Sequence, residues 1–215
     1  MINLGMLSGI LAAPDQSGRF YGVTVGVVTN NQDPDKLGRV KLKLPWLSDQ
    51  DESHWARVLS PMAGKERGLY FLPEVEDEVL VAFEHGLVEF PYVLGALWNG
   101  KDAPPAANDD GKNNERLIKS RSGHTIRLND TDGGETIEIV DGSGKNSIVI
   151  STADNTITIS ADADIKITSS SGKLQLSGNG IEISSQAGIK VEATQTMDLK
   201  SSAQLNLQGA VINLN

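Results

Sequence analysis

The sequence predicts an all-β protein built from two unlike halves, a small barrel or sandwich followed by a stacked repeat. Three observations lead there. Apolar residues recur in pairs, two residues apart, at steps close to eight through the C-terminal half. No helical 3.6-residue pattern competes with them, and alternation of this kind is the signature of strands. Composition also divides the chain. All ten aromatic residues lie between Phe20 and Trp98, all eight prolines lie at or before Pro105, and neither type occurs after Arg116.

The repeat is plainest in GIEISSQAGIKVEATQTMDLK, residues 180–200. There Ile181 with Ile183, Ile189 with Val191 and Met197 with Leu199 are separated by small and polar residues. The series extends to Ile157 with Ile159, Ile165 with Ile167, Leu174 with Leu176, Leu205 with Leu207 and Ile212 with Leu214. The step to Leu174 is nine and the steps to Ile181 and Ile212 are seven, slack expected to be taken up in turns. Earlier pairs, Ile126 with Leu128, Ile137 with Ile139 and Ile148 with Ile150, are more widely spaced. The turn-forming runs NDTDGGE and DGSGKNS lie between them.

One such unit cannot fold alone. Two inward side chains contribute roughly 1.5–3 kcal/mol each on full burial, whereas ordering eight backbone units costs roughly 1–2 kcal/mol per residue. The units must therefore stack, either on their own chain as a β-solenoid or on other copies as an intertwined prism. A narrow shared prism suits Ile, Leu, Val and Met and has no space for Phe or Trp.

Residues 22–98 read as five short strands, at 22–30, 39–44, 54–60, 77–84 and 92–97, without a convincing helix, and an OB-type barrel is the natural candidate. The run GKDAPPAANDDGKNNE, residues 100–115, reads as a linker. The expected organisation is an N-terminal arm (1–19), a barrel domain (20–99), the linker (100–115) and the repeat (116–215).

Charge and cysteine content exclude several chemistries. The formal charge is −9, and nucleic-acid binders usually present a basic face. Residues 1–115 carry 10 Lys+Arg against 17 Asp+Glu. There is no cysteine, hence no disulfide and no thiolate metal site. The N-terminal MINLGMLSGILAAPDQ lacks the basic n-region of a signal peptide and reads as an arm. No apolar run reaches the length that spans a bilayer, so synthesis in the cytoplasm is expected.

Candidate sites are few. GSGK (142–145) lacks phosphate-loop spacing, since Ile139 and Asn146 occupy required positions, and reads as a turn. Asp130-Thr131-Asp132-Gly133 lacks the further ligands of a calcium loop. EVEDE (74–78) offers carboxylates but reads as a strand and its approach. His54, His85 and His124 form no metal-binding pair. Neither catalytic residues, metal site nor cofactor is expected.

The wording of the barrel half goes beyond pattern. LGRVKLKLPW (37–46), HWARVLSPMAGKERGLYFLPEVEDEVLVAFEHG (54–86) and FPYVLGALWNG (90–100) resemble the OB-fold domain of the phage baseplate assembly protein V family. The cell-puncturing tail-spike proteins of contractile phages and the valine-glycine repeat proteins of type VI secretion share that domain. The match spans about 75 residues with the W-x-R-V, AGK, LP-x-V, DEVLV-F and P-x-V-L-G-x-L-x-N elements in order. It departs at Glu76, where the family usually has glycine.

The resemblance implies an OB-fold followed by an intertwined trimeric β-helix, and so chooses the trimer over the solenoid. It implies a non-enzymatic central spike of a contractile tail or injection particle, docking through its OB domain on a separate trimeric hub protein and puncturing the target envelope. Membrane contact would be transient, and nucleic acid is not an expected partner. The trimer core would be formed by the seven pairs that begin at Ile157, Ile165, Leu174, Ile181, Ile189, Met197 and Leu205. Ile212, Asn213, Leu214 and Asn215 would form a blunt tip covered by a PAAR-type protein. The alternative is a β-solenoid tail-associated adhesin or polysaccharide depolymerase. Sugar-cleaving sites want aromatic platforms and two spaced carboxylates, however, and the repeat half has no aromatic residue.

Overall fold

A computed structural model describes residues 18–47 and 51–213, and the fold among them is all-β apart from one 3-10 turn at Glu84–Gly86. The N-terminal arm expected over 1–19 lies outside the described residues up to position 17. Five strands close into a barrel: β1 (Thr24–Asn30), β2 (Arg39–Lys43), β3 (Ala56–Val58), β6 (Glu78–Phe83) and β7 (Pro91–Ala96). Their order is β1-β2-β3-β7-β6, with β3 and β7 parallel and the other neighbours antiparallel.

Each strand of this barrel lies within about two residues of its expected position, because alternation decides which side chains turn inward. Val79, Val81 and Phe83 on β6, Val40 and Leu42 on β2, Val28 on β1, Ala56 on β3 and Val93 on β7 form the core, with Leu44 beside them. The pattern missed a hairpin, β4 (Ala63–Gly64) and β5 (Arg67–Gly68), which carries no alternating apolar residues. Its closure depends on Gly68, where a Cβ would stand 2.4 Å from the Met62 carbonyl oxygen.

Two turns fix the barrel's rim. The buried Asp33 carboxylate accepts from the Asp35, Leu37 and Arg39 N–H groups and from the Arg39 guanidinium, at 2.9 Å (Nε) and 2.7 Å (Nη2). The Arg39 bond, followed by the backbone donors, holds the Asp33 carboxyl far below the usual carboxylate range despite its desolvation. In the second turn, Glu76 takes φ 78° and donates its N–H to the Val28 carbonyl at 2.8 Å. Glu76 thus adopts a left-handed conformation that favours glycine, the residue usual there in the family it resembles.

The chain divides into two compact units, one ending at Ser160 and one running from Ala161 onward. The first contains, besides the barrel, an antiparallel meander of five strands: β8 (Glu115–Lys119), β9 (Thr125–Asn129), β10 (Thr136–Val140), β11 (Ser147–Ser151) and β12 (Thr156–Ser160). Ile157 and Ile159, grouped with the octads by their spacing, lie on the last strand of this sheet and pair with Ile150 and Ile148 of the same chain. The connections of four to six residues between these strands let the chain reverse on itself.

In the second unit the described residues form no strand pairing within the chain. Extended segments alternate with backbone bends that begin at 162, 170, 178, 186, 194, 202 and 210, a repeat of eight. The bend at 170–172 has three residues instead of two. It absorbs the nine-residue step to Leu174, and the seven-residue step to Ile181 restores the phase.

Candidate functional site

The meander among these elements presents an apolar surface. In the meander, residues opposite one another across strands share a face. One row runs Ile118, Ile126, Ile139, Ile148, Ile159, and a second runs Leu128, Ile137, Ile150, Ile157. Arg116 occupies the end of the second row opposite Leu128 and pairs with Asp130. These nine aliphatic side chains are between 39% and 70% exposed in the single chain. They make a contiguous apolar face, which marks a surface of interaction more strongly than scattered residues do.

The opposite face mixes aliphatic and charged side chains, with Leu117, Arg127, Glu138 and Val149 in one row. Arg127 of β9 stands between Glu115, at 3.0 Å, and Glu138, at 3.8 Å, and the Thr136 hydroxyl donates to Glu138 at 2.8 Å.

The turns at the strand ends answer the motif questions. GSGK lies in the turn from Asp141 to Asn146, where the Asp141 carboxylate accepts from the Asn146 side-chain amide at 2.9 Å and from the Ser143 hydroxyl. Those bonds, Asn146 first, hold the Asp141 carboxyl down to about 2. The Asn129 side chain caps Thr131 in the next turn, where the calcium-loop resemblance lay. His124 has a role that its isolation in the sequence concealed: its Nδ1 accepts the Gly142 N–H at 3.0 Å. Gly142 is required there, since a Cβ would come within 2.2 Å of the Ser122 carbonyl oxygen. No group of three or more His, Asp or Glu is placed to hold a metal ion among the described residues. The EVEDE run is divided among structural contacts, with Glu74 accepting from Arg121 at 2.6 Å and Glu78 from Asn99 at 3.4 Å.

Beyond Ser160 the single chain gives the expected core residues no core. The leading members of the pairs, Ile165, Leu174, Ile181, Ile189, Met197 and Leu205, stand 45–59% exposed. The trailing members, Ile167, Leu176, Ile183, Val191, Leu199 and Leu207, stand 59–69% exposed. None of the twelve is buried within its own chain, and their expected place is in a core shared between copies. Their segments pair with no strand of the same chain among the described residues. At the tip Ile212 and Asn213 are exposed, while Leu214 and Asn215 lie outside the described residues.

The barrel carries surfaces of its own. Phe20 stacks on Trp46 with ring centroids 4.9 Å apart, and both meet Phe83 edge-on. Leu59, Met62, Leu69, Tyr70 and Phe71 form an exposed apolar rim around the small hairpin. Trp55 is flanked by Arg39 and Lys41, at 5.9 and 5.7 Å from the ring centroid. Those cations are already paired, Arg39 with Asp33 and Asp35 and Lys41 with Glu52, so this face lacks the spare positive charge that a nucleic-acid groove presents.

The sequence model of the type VI secretion system/phage-baseplate injector OB domain matches residues 24–98, which are the closed barrel from β1 to just past β7. Over those residues the chain is similar to that OB domain. The chain is 31% identical over 105 residues to the type VI secretion system spike protein VgrG3 of Vibrio cholerae serotype O1, covering 47% of this chain and 10% of that protein. It is 30% identical over 122 residues to the spike protein VgrG1a of Pseudomonas aeruginosa, covering 49% of this chain and 18% of the relative. It is 37% identical over 75 residues to VgrG5 of the same species, covering 33% and 10%. The chain thus spans less than a fifth of these relatives' lengths.

Proposed function

We propose that three copies of this chain assemble into the central spike of a contractile tail or related injection device. The injector OB domains form its collar and the C-terminal half its shaft. Each copy supplies one face of a triangular prism. The rows led by Ile118 and Leu128 turn inward along the first part, and the octad pairs from Ile165 and Ile167 to Leu205 and Leu207 do so along the rest. The observation that carries this reading is the series of aliphatic pairs left without a partner in one chain, over segments whose backbone in the second unit also has no strand partner. Burying both needs other copies, and wrapping three chains about one axis satisfies strand edges as well as side chains.

The role is mechanical and uses no cofactor. A shaft whose strands are hydrogen-bonded between chains around a dry core must break many bonds at once before it bends. The barrel end docks on a separate hub, with the exposed rim of Leu59, Met62, Leu69, Tyr70 and Phe71 as a surface for collar contacts. At the other end a PAAR-type cap binds through Ile212, Asn213, Leu214 and Asn215. The particle is a phage tail baseplate or a contractile injection particle. SDS gel electrophoresis with and without boiling tests the assembly: unboiled protein should run as the trimer and resist protease beyond residue 116. A chain that runs as a monomer unboiled, with rapid cleavage through 161–213, would count against it.

A further inference from the structure

Asparagine followed by glycine occurs twice in the chain, at Asn99–Gly100 and at Asn179–Gly180. Glycine allows close approach of its backbone to a neighbouring group, so its nitrogen can reach the carboxamide carbon of the asparagine before it. The two sites are held differently. At the first, Asn99 Oδ1 accepts the Lys101 and Asp102 N–H groups at 2.8 and 2.7 Å, and Nδ2 donates to Glu78 at 3.4 Å. A side chain engaged with the backbone in this way is fixed at both ends of its carboxamide. At the second, Asn179 is exposed and stands in the bend at 178–179, between Gly178 and Gly180. Among the described residues neither its carboxamide nor the Gly180 N–H makes a hydrogen bond within the chain. A Cβ placed on Gly180 would meet nothing within 4 Å, so the space beside the glycine is open.

We propose that Asn179–Gly180 is a site of spontaneous covalent modification, deamidating through a succinimide in the folded chain while Asn99–Gly100 is protected. The Gly180 nitrogen, its proton lost to water or base, bonds to Asn179 Cγ. The Cγ–Nδ2 bond breaks and the nitrogen leaves as ammonia. Water then opens the ring. Cleavage at Cγ gives aspartate, and cleavage at the Asn179 main-chain carbonyl carbon gives isoaspartate. The net change is one water consumed and one ammonia released, with no oxidant or reductant. Either product adds a negative charge at the bend. Isoaspartate also lengthens the main chain by one methylene between Leu176 and Ile181, where the step from pair to pair is already seven and not eight. The reaction thus alters the spacing of the repeat at one defined bend. It does not depend on the trimeric reading.

Incubation of the folded full chain in mildly alkaline buffer, followed by unfolding, brief tryptic digestion and mass spectrometry, tests the site. Fragment 174–190 reports Asn179 and fragment 68–101 reports Asn99, each containing a single asparagine. In the folded chain the first should convert to aspartyl and isoaspartyl forms many-fold faster than the second. In guanidinium, where the Asn99 hydrogen bonds are gone, the two rates should come within a few-fold of each other. Gly180→Ala, for which the fold has room, should slow conversion at Asn179 several-fold by crowding the attacking nitrogen, without changing the circular dichroism. An Asn179 that stays intact in the folded chain while both sites react in guanidinium would overturn the proposal. So would equal rates at the two sites in the folded chain, or a Gly180→Ala variant that reacts as fast as wild type.

Discussion

Ile139→Ala separates a buried prism face from an exposed sheet face. Ile139 sits at the centre of the first row, opposite Ile126 on one side and Ile148 on the other, and is 50% exposed in a single chain. If the face remains in water, truncating a half-exposed side chain costs at most about 0.5 kcal/mol, as for an ordinary surface position. If three sheets close on one another, the same change empties part of a packed core and costs about 2–5 kcal/mol per chain, repeated at all three copies. A conservative estimate halves that range, since part of the side chain is already covered by its own sheet. Guanidinium denaturation of wild type and Ile139→Ala at equal chain concentration, followed by circular dichroism and light scattering, should show a midpoint lowered well beyond a surface effect. Loss of trimer should coincide with loss of β-signal. A variant matching wild type within about 0.5 kcal/mol per chain would refute the inward orientation of this row.

Two further predictions concern the OB barrel and the turns. Glu76→Gly should raise barrel stability by about 0.5–1 kcal/mol, because relief of the left-handed penalty outweighs glycine's greater unfolded-state entropy; a melt unchanged or lowered would show that the Glu76 side chain supports the turn in some other way. Acid should weaken both the barrel and the meander. Asp33 and Asp141 have folded-state values depressed below the usual carboxylate value near 4, so their stabilisation is complete above about pH 4–5 and is lost as pH falls toward about 2 and below. Asp33→Asn and Asp141→Asn should flatten that acid branch, with Trp55 fluorescence reporting the first and circular dichroism the second; an acid branch identical to wild type would contradict the assignment.

The barrel was legible because five of its strands alternate apolar and polar residues over a small core, as in EVLVAF at 78–83, where Val79, Val81 and Phe83 are buried. The β4–β5 hairpin was not, since Ala63, Gly64, Arg67 and Gly68 hold their turn by backbone geometry at Gly68 instead of by burial. In the C-terminal half the pairs themselves were plain, but their spacing hid a change of architecture. Pairs beginning at Ile126, Ile137, Ile148 and Ile157 stand eleven, eleven and nine residues apart, which leaves enough chain between five-residue strands for a reversal. In the octads the bends occupy two or three residues, and the segments between them pair with no strand of the same chain among the described residues. Ile157 and Ile159 fall at that crossover and look alike from either side. Isolation in the sequence also hid His124, whose partner Gly142 is eighteen positions away and approaches only when the β8–β9 and β10–β11 turns come to one edge. Glu76 could be flagged from the family's usual glycine, but its left-handed conformation needed the backbone.

The central claim, that the C-terminal half is one third of a shared core, is tested most directly by solution mass. Multi-angle light scattering on the purified full chain should give about 69 kDa, three times the 23.0 kDa chain, without change on dilution. A mass of 23.0 kDa with intact β-structure would contradict it, since the exposed aliphatic rows would then stand in water by themselves.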